Sequence, residues 1–311
     1  MSDHGFAFAS QNTFLKVPAS DASRRFAVAG VPWDGAVTNR PGARFGPDAI
    51  RRASHMLCDG IHPHFDVSPV GRLTDLGDLA LPNTGIEAMR AAMMRQLPQI
   101  LAAHHVCWLG GDHSITLPLL RAYRAHYGRP LALIHFDAHC DTWQDHFGEP
   151  SGHGTWTYEA INEGLVIPEA TVQIGIRSAG KKAAREYVNS VGGRVITARE
   201  LRGRESAAQL AEYLKEIRGR IAAAGNPPTY LTLDIDCLDP AFAPGTGTPE
   251  PGGLTSNQVL TFIEELGDLP WAGMDCVEVS PPYDHAELTS NIAATLVWTY
   301  LAGRIAATQP A

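Results

Sequence analysis

The chain has 311 residues, 44% of them hydrophobic, which is enough to bury the core of one large domain or two small ones. Its net charge is −8 and its cations are scattered, so we expect no nucleic-acid partner. No segment approaches the roughly 20 apolar residues of a membrane span, and the N-terminus lacks the pattern of a signal peptide. The five cysteines form no CxxC pair, which predicts free thiols in a cytoplasmic protein.

Short apolar segments alternate with amphipathic ones along the chain. We predict strands at residues 25–30, 72–76, 105–109, 131–136, 171–176, 194–196, 229–235 and 271–279. We predict helices at residues 48–56, 86–104, 114–127, 206–224, 256–266 and 287–306. Several strands, such as LALIHF at 131–136, are apolar throughout, as is typical of central parallel strands. The pattern predicts a three-layer α/β/α fold with a mostly parallel sheet of about eight strands, in one domain at 25–311 after an N-terminal extension at 1–24.

Three groups of potential metal ligands follow predicted strands. They are His113 after the third strand, Asp137, His139 and Asp141 after the fourth, and Asp234 and Asp236 at the end of the seventh. The carboxyl ends of parallel strands meet at one edge of a sheet, and alternate residues of an extended segment point the same way. We therefore expect the six side chains to converge. Four carboxylates this close would repel one another strongly unless cations were present.

Each group has a plainer interpretation when taken alone. An Asp-x-Asp pair is common at strand ends, and a histidine after two glycines often belongs to a turn or helix cap. Their coincidence at three strand ends favours metal, and the ligand count favours two ions bridged by Asp137 and Asp234. Oxygen-rich ligation favours Mn²⁺ over Zn²⁺. Cys140 and Cys237 have the opposite strand parity, so we predict that they pack in the core.

At these residues the chain resembles the ureohydrolase family, which comprises arginases, agmatinases and relatives that hydrolyse guanidino groups to urea. The similar segments are RPGARFGPDAIR at 40–51, GGDHS at 110–114, DAHCD at 137–141, SGHGT at 151–155, DIDCLDPAFAPGTGTPEPGGLT at 234–255 and EVSPPYD at 278–284. The similarity spans about residues 25–305. It implies an arginase-like fold, two Mn²⁺ per chain and a homotrimer or homohexamer.

The resemblance also implies roles for individual residues. It assigns His113, Asp137, Asp141 and Asp234 to one ion, and His139, Asp137, Asp234 and Asp236 to the other. A water between the ions would attack the guanidinium carbon, with Asp141 counted among the catalytic residues. Glu278 would pair with the substrate guanidinium, and His153 would pass a proton to the leaving amine.

The segment 142–152 bears on the substrate. It lacks the Asn-rich pattern with which arginase-like members hold the amino-acid end of arginine, and it offers Trp143, Asp145 and Glu149 instead. The AFAPGTGTP and EVSPPYD segments are most similar to agmatinases, which convert agmatine and water to putrescine and urea in polyamine biosynthesis. We therefore expect a small cationic guanidino substrate whose ammonium end lies near Trp143.

Two alternatives remain open from the sequence. FGEPSGHGT is similar to guanidinobutyrases, which convert 4-guanidinobutyrate to 4-aminobutyrate and urea. A metal-dependent, deacetylase-like amidohydrolase shares an Asp/His/Asp site but uses one catalytic ion and fewer carboxylates. Metal stoichiometry and urea release separate these possibilities.

Overall fold

A parallel sheet of eight strands forms the middle of the molecule. The structure is a computed structural model and describes residues 12–145 and 147–308. The strands are β1 (Phe26–Val31), β2 (Leu73–Asp78), β3 (His105–Gly110), β4 (Leu131–Phe136), β5 (Val166–Ile176), β6 (Arg194–Thr197), β7 (Thr229–Asp234) and β8 (Trp271–Val277). Their order is β2-β1-β3-β8-β7-β4-β5-β6, with every pair parallel. This confirms the predicted sheet.

Ten α-helices connect the strands in the described part of the chain. They are α1 (Gly46–Ser54), α2 (Ile86–Ala103), α3 (Thr116–Tyr127), α4 (Trp156–Asn162), α5 (Lys182–Arg185), α6 (Tyr187–Ser190), α7 (Ala198–Leu201), α8 (Ala207–Ala223), α9 (Ser256–Glu265) and α10 (Leu288–Ala306). Short 3₁₀ turns occur at Phe14–Lys16, Ala43–Phe45, Val70–Arg72, His113–Ile115, Ile235–Cys237 and Pro281–Tyr283. Local sequence fixes several ends: Ser206 and Thr255 form capping boxes before α8 and α9, and Gly128 ends α3 with φ 66°.

The helices cover both faces of the sheet and bury two cores. On one face α1, α8, α9 and α10 pack around residues such as Ile50, Phe262 and Val297. On the other face α2, α3 and α4 pack around residues such as Leu120 and Trp156. The three-layer prediction is therefore confirmed.

The predicted N-terminal extension lies partly outside the described residues, which begin at residue 12. Its described portion packs against the domain. Phe14 and Val17 are fully buried in the first core, and the backbone N–H of Phe14 donates to Asp75 Oδ2 at 2.8 Å. None of the described helices is both long and apolar enough to cross a membrane.

The four central strands bring the predicted site residues together. His113 follows β3, Glu278 follows β8, Asp234 ends β7 and Asp137 follows β4. These strands are consecutive neighbours in the sheet, and all end at the same edge. The topology thus places side chains that are up to 165 residues apart in the sequence within contact distance.

Candidate metal centre

His113 faces three carboxylates from two different strand ends. Its Nδ1 lies 3.1 Å from Asp137 Oδ2, 3.2 Å from Asp141 Oδ2 and 3.1 Å from Asp234 Oδ2. All four side chains are buried. One imidazole nitrogen and three carboxylate oxygens therefore surround a single point that water hardly reaches.

A hydrogen-bonded chain behind His113 determines which of its nitrogens can act as a ligand. The hydroxyl of Thr232 donates to Asp275 Oδ1 at 2.5 Å, so it accepts from His113 Nε2 at 2.8 Å. The Nε2 atom then carries the proton, and the lone pair of Nδ1 points at the three carboxylates. This arrangement is the usual support of a metal-binding histidine.

The pKa of His113 reflects the same surroundings. Burial lowers it, but hydrogen bonds to Asp137, Asp141 and Asp234 outweigh that effect and raise it well above its ordinary value. The site therefore attracts a positive charge, which a proton or a metal ion can supply.

A second group of ligand atoms shares Asp137 with the first. His139 Nδ1 lies 3.3 Å from Asp137 Oδ1 and 3.1 Å from Asp236 Oδ2. Asp137 thus turns one oxygen towards His113 and the other towards His139. The ligand atoms of Asp137, His139 and Asp236 lie within 4.8 Å of one another.

Asp234 lies between the two groups. Its Oδ2 faces His113, and its Oδ1 accepts the backbone N–H of Asp236 at 2.9 Å. Burial raises the pKa of the Asp234 carboxyl well above its ordinary value, and the charges of Asp236 and Asp137 raise it further. Carboxylates held this close need cations beside them, and a set of oxygens with two imidazoles suits two divalent ions.

The side chains converge for a different reason than alternation along a strand, so that part of the prediction is wrong. The strand β4 ends at Phe136, and Asp141 has φ 51°, which no extended segment adopts. Asp236 lies in a 3₁₀ turn. Turns after the strands, rather than strand parity, therefore direct these carboxylates. Cys140 and Cys237 nevertheless lie in the two cores.

His135 belongs to the first group, although the sequence argument overlooked it. Its Nε2 lies 2.8 Å from Asp137 Oδ2, and its Nδ1 accepts from Gln173 Nε2 at 3.0 Å. Because Nδ1 accepts, Nε2–H must donate to Asp137. We interpret His135 as the residue that orients this carboxylate. Its position two residues before Asp137 on a buried strand was the available signal.

His153 and Glu278 form a hydrogen-bonded pair beside the ligand groups. His153 Nδ1 lies 3.0 Å from Glu278 Oε1, which also accepts the backbone N–H of His113 at 2.9 Å. Glu278 has φ 64°, and its Oε2 is buried with no hydrogen-bond partner among residues 12–145 and 147–308. An orphaned buried oxygen at this position is suited to a donor from a ligand.

The carboxylates around His153 favour its protonated form, whereas the backbone N–H of Thr38 donates to Nε2 and favours the neutral form. Burial lowers its pKa, but the hydrogen bond and charge of Glu278, together with Asp112 and Asp141, raise it to about 9. Thr38 contacts Nε2 through its hydroxyl at 2.8 Å and its backbone N–H at 3.1 Å. Thr38 comes from the loop before α1, and no sequence pattern pointed to it.

A cavity of about 320 Å³ opens onto these groups. Its wall includes His139, Asp141, Asp234 and His153, and also Trp143 and Asp145 from the segment 142–152. No lysine or arginine lies among the described residues that line it. Glu278 is not part of this wall; it lies beside His153.

Fold and site together define a three-layer α/β protein with a His/Asp cluster suited to a binuclear metal centre at the carboxyl edge of its sheet. The arginase family model matches residues 24–303, and the chain belongs to the arginase family of hydrolases. The resemblance stated from the motifs is thus confirmed.

Three relatives show where the chain stands in that family. It is 43% identical over 275 residues to the agmatinase of Chromobacterium violaceum, covering 86% of this chain and 80% of that protein. It is 42% identical over 293 residues to the agmatinase of Proteus mirabilis, covering 91% and 90%. The structure of proclavaminate amidino hydrolase from Streptomyces clavuligerus superposes with a TM-score of 0.88 at 37% identity, covering 97% of this chain and all of that one.

Proposed function

We propose that the protein is an agmatinase that hydrolyses agmatine to putrescine and urea with two Mn²⁺ ions. The observation that carries the proposal is a cavity wall that has carboxylates and no lysine or arginine among its described residues, beside two groups of metal ligands. Agmatine carries a cationic guanidinium at one end and an ammonium at the other, so both ends suit such a wall. The curated relatives named agmatinase support the same substrate.

The six predicted ligands divide between two ions. His113, Asp137, Asp141 and Asp234 would hold one, and Asp137, His139, Asp234 and Asp236 the other. Asp137 is the best-supported bridge, because its two oxygens face the two histidines. Bound divalent ions lower the pKa of coordinated water towards neutrality, which is the chemistry that hydrolysis of a guanidinium requires.

The protein's own side chains handle the substrate and the proton. Glu278 Oε2 lacks a partner among the described residues, so it can accept a hydrogen bond from the guanidinium. His153, with a pKa of about 9, can carry a proton to the amine that leaves. Glu278 also holds His153 in place at 3.0 Å, so the two residues act together.

The alternative substrate 4-guanidinobutyrate ends in a carboxylate. A wall that presents Asp145 would repel that end, and no described cation on the wall would attract it. However, the relative with the TM-score of 0.88 is named for another substrate, proclavaminate, so fold similarity alone does not select agmatine.

The test is a urea-release panel with Mn²⁺-loaded protein and four substrates: agmatine, 4-guanidinobutyrate, 3-guanidinopropionate and arginine. We expect agmatine to have the highest kcat/KM. We expect Asp145→Asn to raise KM for agmatine and to lower it for 4-guanidinobutyrate, with Mn²⁺ content unchanged. Higher kcat/KM with 4-guanidinobutyrate than with agmatine would reject the agmatinase assignment.

Metal content distinguishes the remaining alternative. A deacetylase-like amidohydrolase would bind one ion and release no urea from any guanidine, whereas we expect two ions per chain and urea. Mn²⁺ as the natural metal, a homotrimer or homohexamer and a cytoplasmic location remain predictions. Metal analysis, light scattering and cell fractionation test them in turn.

A further inference from the structure

Arg177 makes a dense set of contacts just beyond the end of β5. Its guanidinium donates to five backbone carbonyl oxygens: Glu250 at 2.6 and 3.0 Å, Asp236 at 2.8 Å, Cys237 at 3.1 Å, Leu238 at 3.2 Å and Gly175 at 3.2 Å. Its own backbone N–H donates to Ala138 O at 2.9 Å. Arg177 thus links the end of β5 to the segment after β7 through its side chain, and to the segment after β4 through its backbone N–H.

All six of these side-chain hydrogen bonds go to carbonyl oxygens, and the charge of Arg177 also contributes to lowering the pKa of Asp239. No ion pair of Arg177 occurs among the residues that the structure describes. A guanidinium has five N–H groups in a fixed planar fork, so it can satisfy several carbonyl oxygens at once, whereas a lysine has three donors at a single point. Arg177 uses this planar arrangement, because its Nε, Nη1 and Nη2 atoms all donate to carbonyl oxygens.

The segment that Arg177 holds, residues 236–250, carries part of the second ligand group. Asp236 is one of its ligands, and the hydroxyl of Thr248 donates to Asp236 Oδ2 at 3.2 Å. Glu250 Oε1 lies 3.8 Å from His139 Nε2. A shift of this segment would therefore displace Asp236, which belongs to the second group alone. It would reach the group around His113 only through Asp234, whose Oδ1 accepts the backbone N–H of Asp236.

The residues next to Arg177 in the chain line the cavity. Ser178 and Ala179 follow it directly and line the wall, as does Thr248 from the other segment. The backbone N–H of Ser178 donates to Ala138 O at 3.0 Å, which anchors this wall next to His139. Gly253 is close as well: a Cβ there would lie 2.6 Å from Arg177 Nη2.

We propose that Arg177 is a positioning residue that sets the affinity of the second ion site, by holding residues 236–250 against the end of β5. The inference rests on the proposed function only in that the group of Asp137, His139 and Asp236 binds a cation. Arg177 touches neither the ligand atoms nor the cavity itself. It acts through the backbone that carries Asp236.

The test compares Arg177→Met and Arg177→Lys with the unaltered protein. Mn²⁺ titration should show two sites, with one of them losing about 10- to 100-fold in affinity in both variants and the other losing much less. The variants should release urea more slowly when Mn²⁺ is limiting, and excess Mn²⁺ should restore much of this activity. Hydrogen exchange without metal should show faster exchange at residues 236–250 and unchanged protection in β4.

The two variants separate charge from geometry. Lysine keeps the positive charge but loses the fork, so a lysine variant that behaves like methionine supports the hydrogen-bonded clamp. Arg185→Met is the matched control, because Arg185 follows in the same region and its Nε donates to a single carbonyl, Gly180 O, at 3.0 Å. We expect the control to bind both ions normally.

Several results would overturn the inference. Equal weakening of both ion sites, or failure of both variants to fold, would show that Arg177 has a general structural role. Unchanged hydrogen exchange at 236–250 would show that Arg177 does not hold this segment. Failure of the proposed function looks different. If the unaltered protein released no urea but the variants lost affinity at one site only, agmatine hydrolysis would be rejected and the role of Arg177 retained.

Discussion

The hydroxyl of Thr232 is a small group with a specific consequence for metal binding. It passes a hydrogen bond from His113 Nε2–H to Asp275, and thereby leaves the lone pair of His113 Nδ1 facing the carboxylates. Thr232→Val keeps the shape but removes the relay. We expect affinity for the ion at His113 to fall about 10- to 100-fold, measured by Mn²⁺ titration.

The matched control for this prediction is Thr157→Val. Thr157 is also fully buried, but its hydroxyl has no hydrogen-bond partner among the described residues. Its replacement should leave both ion affinities unchanged. Equal affinity loss in the two variants would show that any buried threonine matters, and would contradict the relay.

We expect Glu278 to affect catalysis through the protonation of His153. The hydrogen bond and charge of Glu278 are the main causes that raise the pKa of His153 to about 9 against the effect of burial. In Glu278→Gln that pKa should fall, so activity that needs protonated His153 should be lost at a lower pH. We expect kcat to fall about 10²- to 10⁴-fold, with its alkaline limit shifted down.

The pH profile of kcat for agmatine checks this prediction, and Glu250→Gln is the control. Glu250 lies at the site but 3.8 Å from His139 rather than beside His153. Its variant should keep the alkaline limit of the unaltered protein. An unchanged limit in Glu278→Gln would remove the pair from the proton transfer.

Among individual residues, the sequence predicts those that belong to recognisable motifs, but not the residues that form hydrogen bonds with them. His113, Asp137 and Asp234 follow strands, so the carboxyl-edge argument located them. Thr38 lies 115 residues from His153, and Trp156 donates to Asp141 Oδ2 at 2.7 Å from the start of a helix. Such contacts depend on how loops fold over the sheet, which no local pattern encodes.

Among the elements, α2 supports the loop that carries His153. Arg90 of this helix is buried, and its Nη2 donates to Ser151 Oγ at 2.6 Å. Ser151 in turn donates to Glu159 Oε1 at 2.6 Å, which also accepts from Thr155 at 2.7 Å. Residues on both sides of His153 are thus tied through this network to α2 and α4.

Arg90→Met should loosen that loop without touching a metal ligand. We expect the free energy of unfolding to fall by about 1–3 kcal/mol, because the buried Arg90 loses its charge-assisted hydrogen bond to Ser151 and its ion pair with Glu87. We expect kcat to fall by up to about 10²-fold from misplacement of His153. Denaturation curves, urea release and Mn²⁺ content check the three expectations, with content unchanged.

The control for the helix is Arg95→Met, an exposed arginine on α2. It should leave stability and kcat unchanged. A normal kcat in Arg90→Met, despite lower stability, would show that the network stabilises the fold but does not position His153.

The helices and strands also differ in how well the sequence predicts them. All eight strands were found because they are short, apolar and bounded by polar segments, as LALIHF is in β4. The sequence does not predict α4, α5, α6 and α7, because α4 has only seven residues and the other three have four each, too few for a clear periodic pattern. The sequence predicts an extended segment after β4, whereas Asp141 adopts φ 51°.

For the whole molecule, the order of the strands in the sheet cannot be predicted from the pattern of strands along the chain. The sheet places β8 between β7, its neighbour in the chain, and β3, which comes from the first half of the chain. That order brings Glu278 beside His113, although the sequence separates them by 165 residues. The family resemblance implies that both residues belong to one site, which strand patterns alone do not predict.

Packing across the whole chain also makes stability depend on pH. His62 lies after α1 and is buried against α10, with Nε2 3.2 Å from Thr299 Oγ1 and its ring 4.4 Å from Trp298. Burial, and to a lesser extent the charge of His64, lowers its pKa from 6.5 to about 4. His105 behaves alike: burial and the charges of Arg304 and Arg25 lower its pKa to about 3.

The sign of the effect follows from proton binding. In the unfolded chain these histidines become protonated below about pH 6.5, whereas in the folded protein His62 becomes protonated only near pH 4. The unfolded state therefore binds more protons in this window, and the free energy of unfolding falls as the pH drops through it.

Denaturant unfolding of His62→Gln should show a smaller loss in the free energy of unfolding between pH 6.5 and 4 than the unaltered protein, both without metal. His126→Gln, at an exposed position on α3, should keep the full loss. Equal slopes for all three proteins would show that His62 does not link folding to pH.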